Sequence, residues 1–537
     1  MQESVQEPPR ETDQAAAIAY LEDPQNHGGA QVQRFETHAA LVFVAGGRAY
    51  KIKRAVRYPY LDFSTLARRE AALRRELALN RRTAPELYIG LHALTRGDDG
   101  RLALSEAPAA PDRLVEWVLV MRAFEQEALL DSLAGKGALD DALVLALAEA
   151  VIAAHRGAEI VRPGQPHRGG RAGVAQIAAE NEVDFAARPD LFAAEDLATL
   201  RGCTAEAIAR LGPLLDRRLA EGKVRRCHGD LHLRNICLVE GRPRLFDALE
   251  FDEAMASIDR FYDLAFLLMD LERRGLRAQA NLLLNRYLQA GEETEALAAL
   301  PLFLSLRAAI RAKVAAATEA ADRDPGHQRR LRGEARDTFA AALAYLQPPQ
   351  SCLLAVGGLS GSGKSCLARR LAPGLGPAPG ALLLRSDVLR KQLHGVAETE
   401  PLPPAAYSEA ATLRVYEALR RHAAEALAAG HAVILDAVHA RPEERAAAEA
   451  LARERGLPFL GLWLEAPAEV LAARAEARRG DASDATPAVI RRQLDYDLGA
   501  MTWTRVDASG RPDEVAAEAR AVLERALPSA LAPVDRP

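Results

Sequence analysis

The stretch CLLAVGGLSGSGKSCLARRLA, residues 352–372, sets the reading of the C-terminal half. Its first six residues are an apolar run of strand character. Gly358 to Ser365 then fit the pattern GxxxxGK[ST], and a helix-forming segment follows at once. Gly358, Gly361 and Gly363 let the backbone wrap a phosphate so that its N–H groups converge. The helix behind them adds its positive end. Gly358, Ser360, Gly361, Ser362, Gly363, Lys364, Ser365 and Cys366 are therefore expected to cradle a nucleotide. Lys364 would reach the β/γ-phosphates, and the Ser365 hydroxyl would ligate Mg²⁺.

Working outward, short apolar runs at 352–357, 381–385, 432–436, 458–464 and 503–507 alternate with helical segments. That rhythm predicts a parallel sheet covered by helices on both faces. Ligands gather at the carboxyl ends of such strands. Asp387, in Arg385-Ser386-Asp387, stands at one of them as a candidate to take the proton of an attacking hydroxyl, or as a helix N-cap. Asp436, closing AVILDAV, is a candidate metal carboxylate. Arg441 and Arg445 follow on a helix, either as a solvated face or as substrate contacts. Arg474 and Arg478, in Arg474-xxx-Arg478-Arg479-Gly-Asp, predict a mobile lid whose guanidinium groups meet the transferring phosphoryl. Through the P-loop, SDxxR, LDA and RRGDASDA, residues 352–515 resemble the P-loop small-molecule kinases of the gluconate-kinase, chloramphenicol-phosphotransferase and zeta-toxin kind. The resemblance implies ATP and Mg²⁺ as cofactors.

A second constellation lies upstream. His228-Gly-Asp230-Leu-His232-Leu-Arg-Asn235 has the HxDxxxxN spacing of a kinase catalytic loop, and Asp247 ends a strand twelve residues later. Asp230 would position and deprotonate an acceptor hydroxyl, and Asn235 and Asp247 would hold Mg²⁺. His228 reads as support for the loop and His232 as polar filler. LVFVAGGRAYKIK (41–53) predicts a hairpin around Gly46-Gly47. Alternation puts Lys51 and Lys53 on one face. Lys51 is favoured as the phosphate lysine, with Glu76 as its first-choice partner and Glu70 as the second. Residues 64–82 read as a helix with Ser64 at its N-cap, and strands are expected at 87–95, 101–106 and 113–124. Val118–Phe124 would be the hinge, offering backbone groups of Met121 and Ala123 to adenine. Residues 30–345 thus resemble the aminoglycoside-phosphotransferase family, which implies a two-lobed protein-kinase-like fold. Two features depart from it. Glu36-Thr37-His38 stands where a glycine-rich loop would be, and Asp247-Ala248-Leu249 replaces Asp-Phe-Gly. Residues 260–345 carry 13 basic and 11 acidic side chains, a poor balance for a polycationic antibiotic. The chain as a whole is similar to the bacterial fusions called bifunctional aminoglycoside phosphotransferase/ATP-binding proteins.

Composition agrees with this picture. The 537 residues suggest about three structural units. A net charge of −5 and 5% aromatics argue against a nucleic-acid partner. Five cysteines without a CxxC pair argue for a reducing, cytoplasmic compartment. No basic, apolar leader opens the sequence, and no apolar run reaches the ~18 residues of a membrane span. Seven of the 69 cationic side chains are lysine, so each lysine carries more information than any arginine. Lys136, Lys223 and Lys313 are expected on the surface.

The expected fold class is α/β and α+β in two domains. Residues 13–345 form the kinase-like domain (small lobe 13–120, helical lobe 125–345), 346–351 a Pro-containing linker, and 352–537 the P-loop kinase. The leading expectation is a phosphotransferase with two nucleotide sites acting on small-molecule hydroxyls, with protein partners unknown. Two other readings stay open. One makes the N-terminal half a nucleotide sensor, because its phosphate loop is atypical. The other is a protein-targeting kinase, disfavoured by the short segment after Asp247.

Overall fold

The computed structural model describes residues 14–37, 39–58, 61–106, 113–291, 293–477 and 481–532. The chain divides into two compact units, Met1–Ile177 with Gly212–Asp270, and Ala178–Leu211 with Leu271–Pro537. The first unit opens on a short helix, Ala15–Glu22, and an antiparallel sheet. Its strands are β1 (Gln33–Glu36), β2 (Ala40–Ala45), β3 (Arg48–Lys53), β4 (Tyr88–Arg96), β5 (Leu102–Ser105) and β6 (Leu114–Arg122), in spatial order β1-β2-β3-β6-β4-β5. The β2–β3 hairpin turns where expected. Gly46 and Gly47 have φ of +57° and +75°, the left-handed pair that matches strand twist.

Alternation sorts this sheet into two faces. Leu41, Phe43, Tyr50, Ile52, Leu94, Val118 and Val120 form one core. Leu73, Leu87, Ala93, Trp117 and Leu119 form the other, with Cys237 and Val239. The second face carries helix α1 (Leu66–Asn80). Thr65, not Ser64, caps α1, accepting the Arg68 N–H; Ser64 instead donates to Asp62 at 2.6 Å. Arg69, Ala72, Leu73, Glu76 and Asn80 make its buried stripe. A buried Arg69–Glu116 ion pair at 3.0 Å fixes α1 against β6. Such a pair adds little stability but sets register, here the register that places Glu76. Further along come α2 (Asp141–Gly157), the hairpin β7–β8 (Ile236–Val239, Arg242–Leu245) and α3 (Arg260–Arg273).

The second unit holds α4 (Arg277–Gly291), the long helices Leu300–Ala321 and Pro325–Tyr345, and a parallel sheet. The five sheet strands are β9 (Leu353–Gly358), β10 (Leu382–Arg385), β11 (Val433–Asp436), β12 (Phe459–Glu465) and β13 (Thr504–Asp507), in order β10-β11-β9-β12-β13. All five expected strands are present. By packing, the units part at 177/178, 211/212 and 270/271, and residues 346–351 lie within the second unit. Polar contacts tie α4 to the start of β10. The Asn281 and Asn285 amides donate to the Ala381 carbonyl (3.1 and 3.2 Å), and Asn285 accepts the Leu383 N–H (2.7 Å). Arg277 donates to the Pro373 carbonyl. Among the described residues no helix is long and apolar enough to cross a membrane.

Gly461 on β12 has no room for a side chain, since a Cβ there would lie 2.3 Å from the Trp503 ring. Gly461→Ala is therefore expected to destabilise this unit by about 1–3 kcal/mol. Denaturant melts followed by tryptophan fluorescence in a variant with Trp117 replaced by Phe test this; an unchanged midpoint would show that the indole yields freely.

Candidate active sites

In the first unit, the β3 pattern places Lys51 and Lys53 beneath α1. Both ammonium groups converge on the fully buried Glu76, Lys51 at 2.7 Å from Oε1 and Lys53 at 2.6 Å from Oε2. Beyond Glu76 they diverge. Lys51 donates to Asp247 at 2.7 Å, and Lys53 to Glu250 at 2.5 Å. Lys51 is thus the lysine that touches the candidate metal carboxylate. Glu70 faces Arg74 on the exposed side of α1 and takes no part. Burial depresses the Lys51 ammonium, but Asp247 and Glu76 outweigh it and hold its pKa well above the ordinary value. Burial would raise the Asp247 carboxyl, yet Lys51 holds it below its ordinary value. Asp247 has φ +60°, a left-handed conformation costly for a non-glycine residue and common at functional sites. Its backbone is pinned by Tyr88, whose hydroxyl accepts the Asp247 N–H, and the next amide, of Ala248, is held by Asn80 Oδ1.

The loop 228–235 is held from below. Asp263 on α3 accepts the His228 and Gly229 amides at 3.2 and 3.0 Å, and His155 on α2 meets the same carboxylate at 3.2 Å. Gly229 has φ +84°, and a Cβ there would press on Ala256 at 2.9 Å. His228 spans the loop: its Nδ1 accepts the Asp230 N–H and its Nε2 donates to the Phe246 carbonyl. That fixes one neutral tautomer, and burial depresses its pKa accordingly. His228 therefore supports the loop. Asn235 Nδ2 donates to Asp230 Oδ2 at 2.9 Å, and His232 Nε2 lies 3.3 Å from the same oxygen. His232 is a partner of Asp230 rather than filler. Asp230 and Asp247 keep 43% and 44% of their side chains exposed. At the hinge, Met121 pairs with Ala49. The Ala123 amide is donated to the Gly47 carbonyl at 3.0 Å. This corrects the expectation for that N–H and leaves the carbonyl as the group Ala123 can offer. His38, in the segment replacing the glycine-rich loop, lies outside the described residues.

In the second unit, Gly358, Gly361 and Gly363 have φ of +139°, +84° and +90°. A Cβ on Gly361 would lie 2.4 Å from the Leu471 carbonyl oxygen, so this loop conformation needs glycine. Ser365, at the start of α5 (Lys364–Leu371), donates to Asp436 Oδ2 at 2.5 Å. A hydroxyl and a carboxylate joined beside a phosphate-type loop are the donor set that suits Mg²⁺. Lys364 folds back over the loop to the Leu359 carbonyl at 3.0 Å. The Ser360 amide is donated to Gln493 Oε1. A cleft of about 1290 Å³ opens here, lined by Lys364, Cys366, Asp387, Asp436 and Arg474 among others.

Asp387 sits in the first turn of α6 (Ser386–Leu393), whose N-cap is Arg385. It is therefore not the cap. Burial, then the Asp436 charge, raise its carboxyl above the ordinary range, with Lys364 acting against them. Folding thus favours its protonated form. That stability is present below the ordinary carboxylate pKa and is lost as pH rises through the raised value. Asp387→Asn, which removes the candidate base, is expected to stabilise the unit at neutral pH by about 1 kcal/mol. A thermal melt of the variant at pH 7 checks it; a lower midpoint would refute the argument.

Arg385, which sequence reasoning left without a role, lies 3.4 Å from Asp436 and donates to Asp481 at 2.5 Å. Arg445 is buried and donates to the His439, Ala440, Leu498 and Ala500 carbonyls. It is neither a solvated face nor a substrate contact. Arg441 pairs with Glu409 at 2.8 Å. Arg474 donates to the carbonyls of Ala508, Ser509 and Gly510, so it is anchored to the end of β13. Arg478 and Arg479 lie outside the described residues.

Residues 353–497 match the family described as an AAA domain. An uncharacterised protein of Mycobacterium tuberculosis (strain H37Rv), Rv2004c, is 31% identical over 501 residues, covering 92% of this chain and 95% of its own length. Mb2027c of Mycobacterium bovis matches to the same extent. The chain belongs to the family of these mycobacterial proteins. The match covers 92% of the chain and so extends into both units. Among solved structures, a sugar kinase from Janibacter sp. HTCC2649 is 21% identical, covering 34% of this chain and 98% of its own (TM-score 0.26). A choline/ethanolamine kinase family protein from Mesorhizobium loti is 16% identical, covering 63% and 99% (TM-score 0.37).

The residues missed in the sequence are those whose role is to hold others: Glu250, His155, Asp263, Arg385 and Gln493. One further lysine carried a usable signal. Lys391 is buried and bonds Asp484 at 2.7 Å, and lysine scarcity alone marked it for attention.

Proposed function

We propose that the chain is a cytoplasmic, bifunctional, Mg²⁺- and ATP-dependent phosphotransferase that acts on hydroxyl groups of small molecules at two separate sites. One observation carries the reading. Each unit separately brings together one lysine and two carboxylates, Lys51 with Asp247 and Asp230 in the first and Lys364 with Asp436 and Asp387 in the second, which in this reading serve as phosphate lysine, metal carboxylate and acceptor base. At each site the acceptor oxygen attacks the γ-phosphorus of ATP. The bond from that phosphorus to the β–γ bridging oxygen breaks, ADP departs with the electron pair, and the hydroxyl proton passes to Asp230 or Asp387. Bound Mg²⁺ would neutralise phosphate charge, held by Asn235 and Asp247 at one site and by Ser365 and Asp436 at the other. Lys51 is kept protonated by its two carboxylates, and Glu76 aims it. Five free cysteines support a reducing compartment.

The test is to incubate wild type, Asp230→Asn and Lys364→Ala with Mg²⁺-ATP and a bacterial metabolite extract, and to follow phosphorylated products by mass spectrometry. Two products, each lost in one variant alone, support the proposal. Loss of every product in a single variant refutes two independent sites.

A further inference from the structure

We infer that Lys53 is a positioning residue of the first site: by gripping Glu76 and Glu250 it fixes the two segments that supply Lys51 with its carboxylates, so that Lys51 alone presents its charge to the nucleotide. The inference rests on the phosphotransferase reading of the first unit and adds to that site a residue which does not itself touch ATP.

The two lysines share one face of β3, but their surroundings differ. The Lys51 side chain is 11% exposed and touches Asp247, which is 44% exposed. The Lys53 side chain is 4% exposed and ends between Glu76 and Glu250, both buried. Its ammonium lies 5.4 Å from the centre of the Phe63 ring. Phe63 in turn forms an apolar cluster with Leu61 and Ala72, against which Phe251 packs. Lys53 is thus enclosed by protein, whereas Lys51 borders a solvent-open carboxylate. Burial opposes the charge on Lys53, but Glu76 and Glu250 outweigh it and keep the ammonium protonated.

Its two contacts act on Lys51 from opposite sides. Glu76 Oε2 accepts no hydrogen bond among the described residues, and the Lys53 ammonium 2.6 Å away supplies the charge it faces. With Oε2 turned to Lys53, Oε1 is left to Lys51 at 2.7 Å. The 2.5 Å bond to Glu250 ties down the stretch that begins at Asp247. That stretch is also held at Leu249, whose amide donates to the His228 carbonyl at 2.9 Å, and at Phe251 through the apolar cluster. Two lysines here face three carboxylates, Glu76, Glu250 and Asp247. Without Lys53, the buried Glu76 and Glu250 would compete for the Lys51 ammonium and draw it away from the phosphate. A buried ion pair adds little net stability but fixes one arrangement, and a displacement of about 1 Å at a reacting group costs about 10²-fold.

The experiment uses the full chain and the acceptor whose product depends on Asp230. It measures kcat/KM for ATP in wild type, Lys51→Met, Lys53→Met and the double variant. Lys53→Met is expected to lower it about 10- to 100-fold while Lys51 is present. The further loss should be no more than about twofold when Lys51 is already methionine, because residues that act through one group are not additive. Glu250→Gln breaks the same grip from the other side and should show the same dependence on Lys51; it carries the test if Lys53→Met does not fold. An equal loss in both backgrounds overturns the proposal, since a residue that only stabilises the fold, or that binds ATP by itself, costs the same with or without Lys51. Wild-type activity in Lys53→Met overturns it too. Activity kept in Lys51→Met but lost in Lys53→Met would make Lys53 the phosphate lysine, and so overturns it as well. If the wild type forms no product dependent on Asp230, the phosphotransferase reading falls. The same variants in a Lys364→Ala background are then titrated with Mg²⁺ and a non-hydrolysable ATP analogue. A loss of affinity from Lys53→Met that requires Lys51 supports the positioning role, and a loss independent of Lys51, or none, overturns it.

Discussion

Lys364→Ala is expected to lower phosphoryl transfer by the P-loop unit about 10²- to 10³-fold. The reason is positional. The loop glycines hold backbone N–H groups around the phosphate, but those are partial charges. The ammonium is the one full positive charge the loop itself carries, and a preorganised donor at developing phosphoryl charge is worth two to three orders of magnitude. In the structure that ammonium rests on the Leu359 carbonyl, 3.0 Å away, so it already lies over the loop and needs little rearrangement to meet a phosphate. The side chain is not part of a packed core, and the fold should survive its removal. Kinetics on the extract-derived acceptor, with ATP varied, provide the measurement. Retention of more than about a tenth of the wild-type rate would mean that Lys364 is not the phosphate lysine. The product dependent on Asp230 should be unaffected, because it arises in the other unit.

Asp230→Asn is expected to have an effect of comparable size in the other unit. Removing a positioned general base costs about 10²- to 10⁴-fold, and asparagine is nearly isosteric with aspartate. The remaining carbonyl oxygen can still accept from Asn235 Nδ2, the 2.9 Å bond that holds the side chain in place. The melting profile should therefore stay near wild type while turnover of the N-terminal product collapses. Loss of turnover accompanied by a large drop in melting temperature would make Asp230 a structural residue. Unchanged turnover would mean that Asp230 is not the base, whereas the absence of any Asp230-dependent product in the wild type would support the sensor reading of this unit.

Much of this was legible because it is local. The Gly46-Gly47 turn, the five alternating apolar runs and the phosphate loop each depend on a few adjacent residues, and their physics is short-range. Lys51 and Lys53 could be placed on one face by period-two alternation. Choosing between them was a question of tertiary distance, settled only where Asp247 meets one and Glu250 the other. His232 was misjudged for the same reason: its partner is two residues away, yet the turn that brings them together depends on Asp263 gripping the loop amides from α3. Ala123 shows the opposite error. A hinge by position need not have a free amide, and the Gly46-Gly47 turn had already claimed it. The linker was read from a Pro pair, a local signal, whereas the side-chain amides that tie α4 to the start of β10 are announced by no local pattern.

Those amides bear on how the second unit can be dissected. β10 is the outermost strand of the parallel sheet, and Asn281 and Asn285 occupy hydrogen-bonding groups on its backbone. A fragment cut at the Pro pair and beginning near residue 350 would lose both asparagines and leave a bare edge strand, LLLR, ready to pair with another copy. Fragments meant to isolate the P-loop activity should retain α4, or the loss of activity they show will report self-association rather than catalysis.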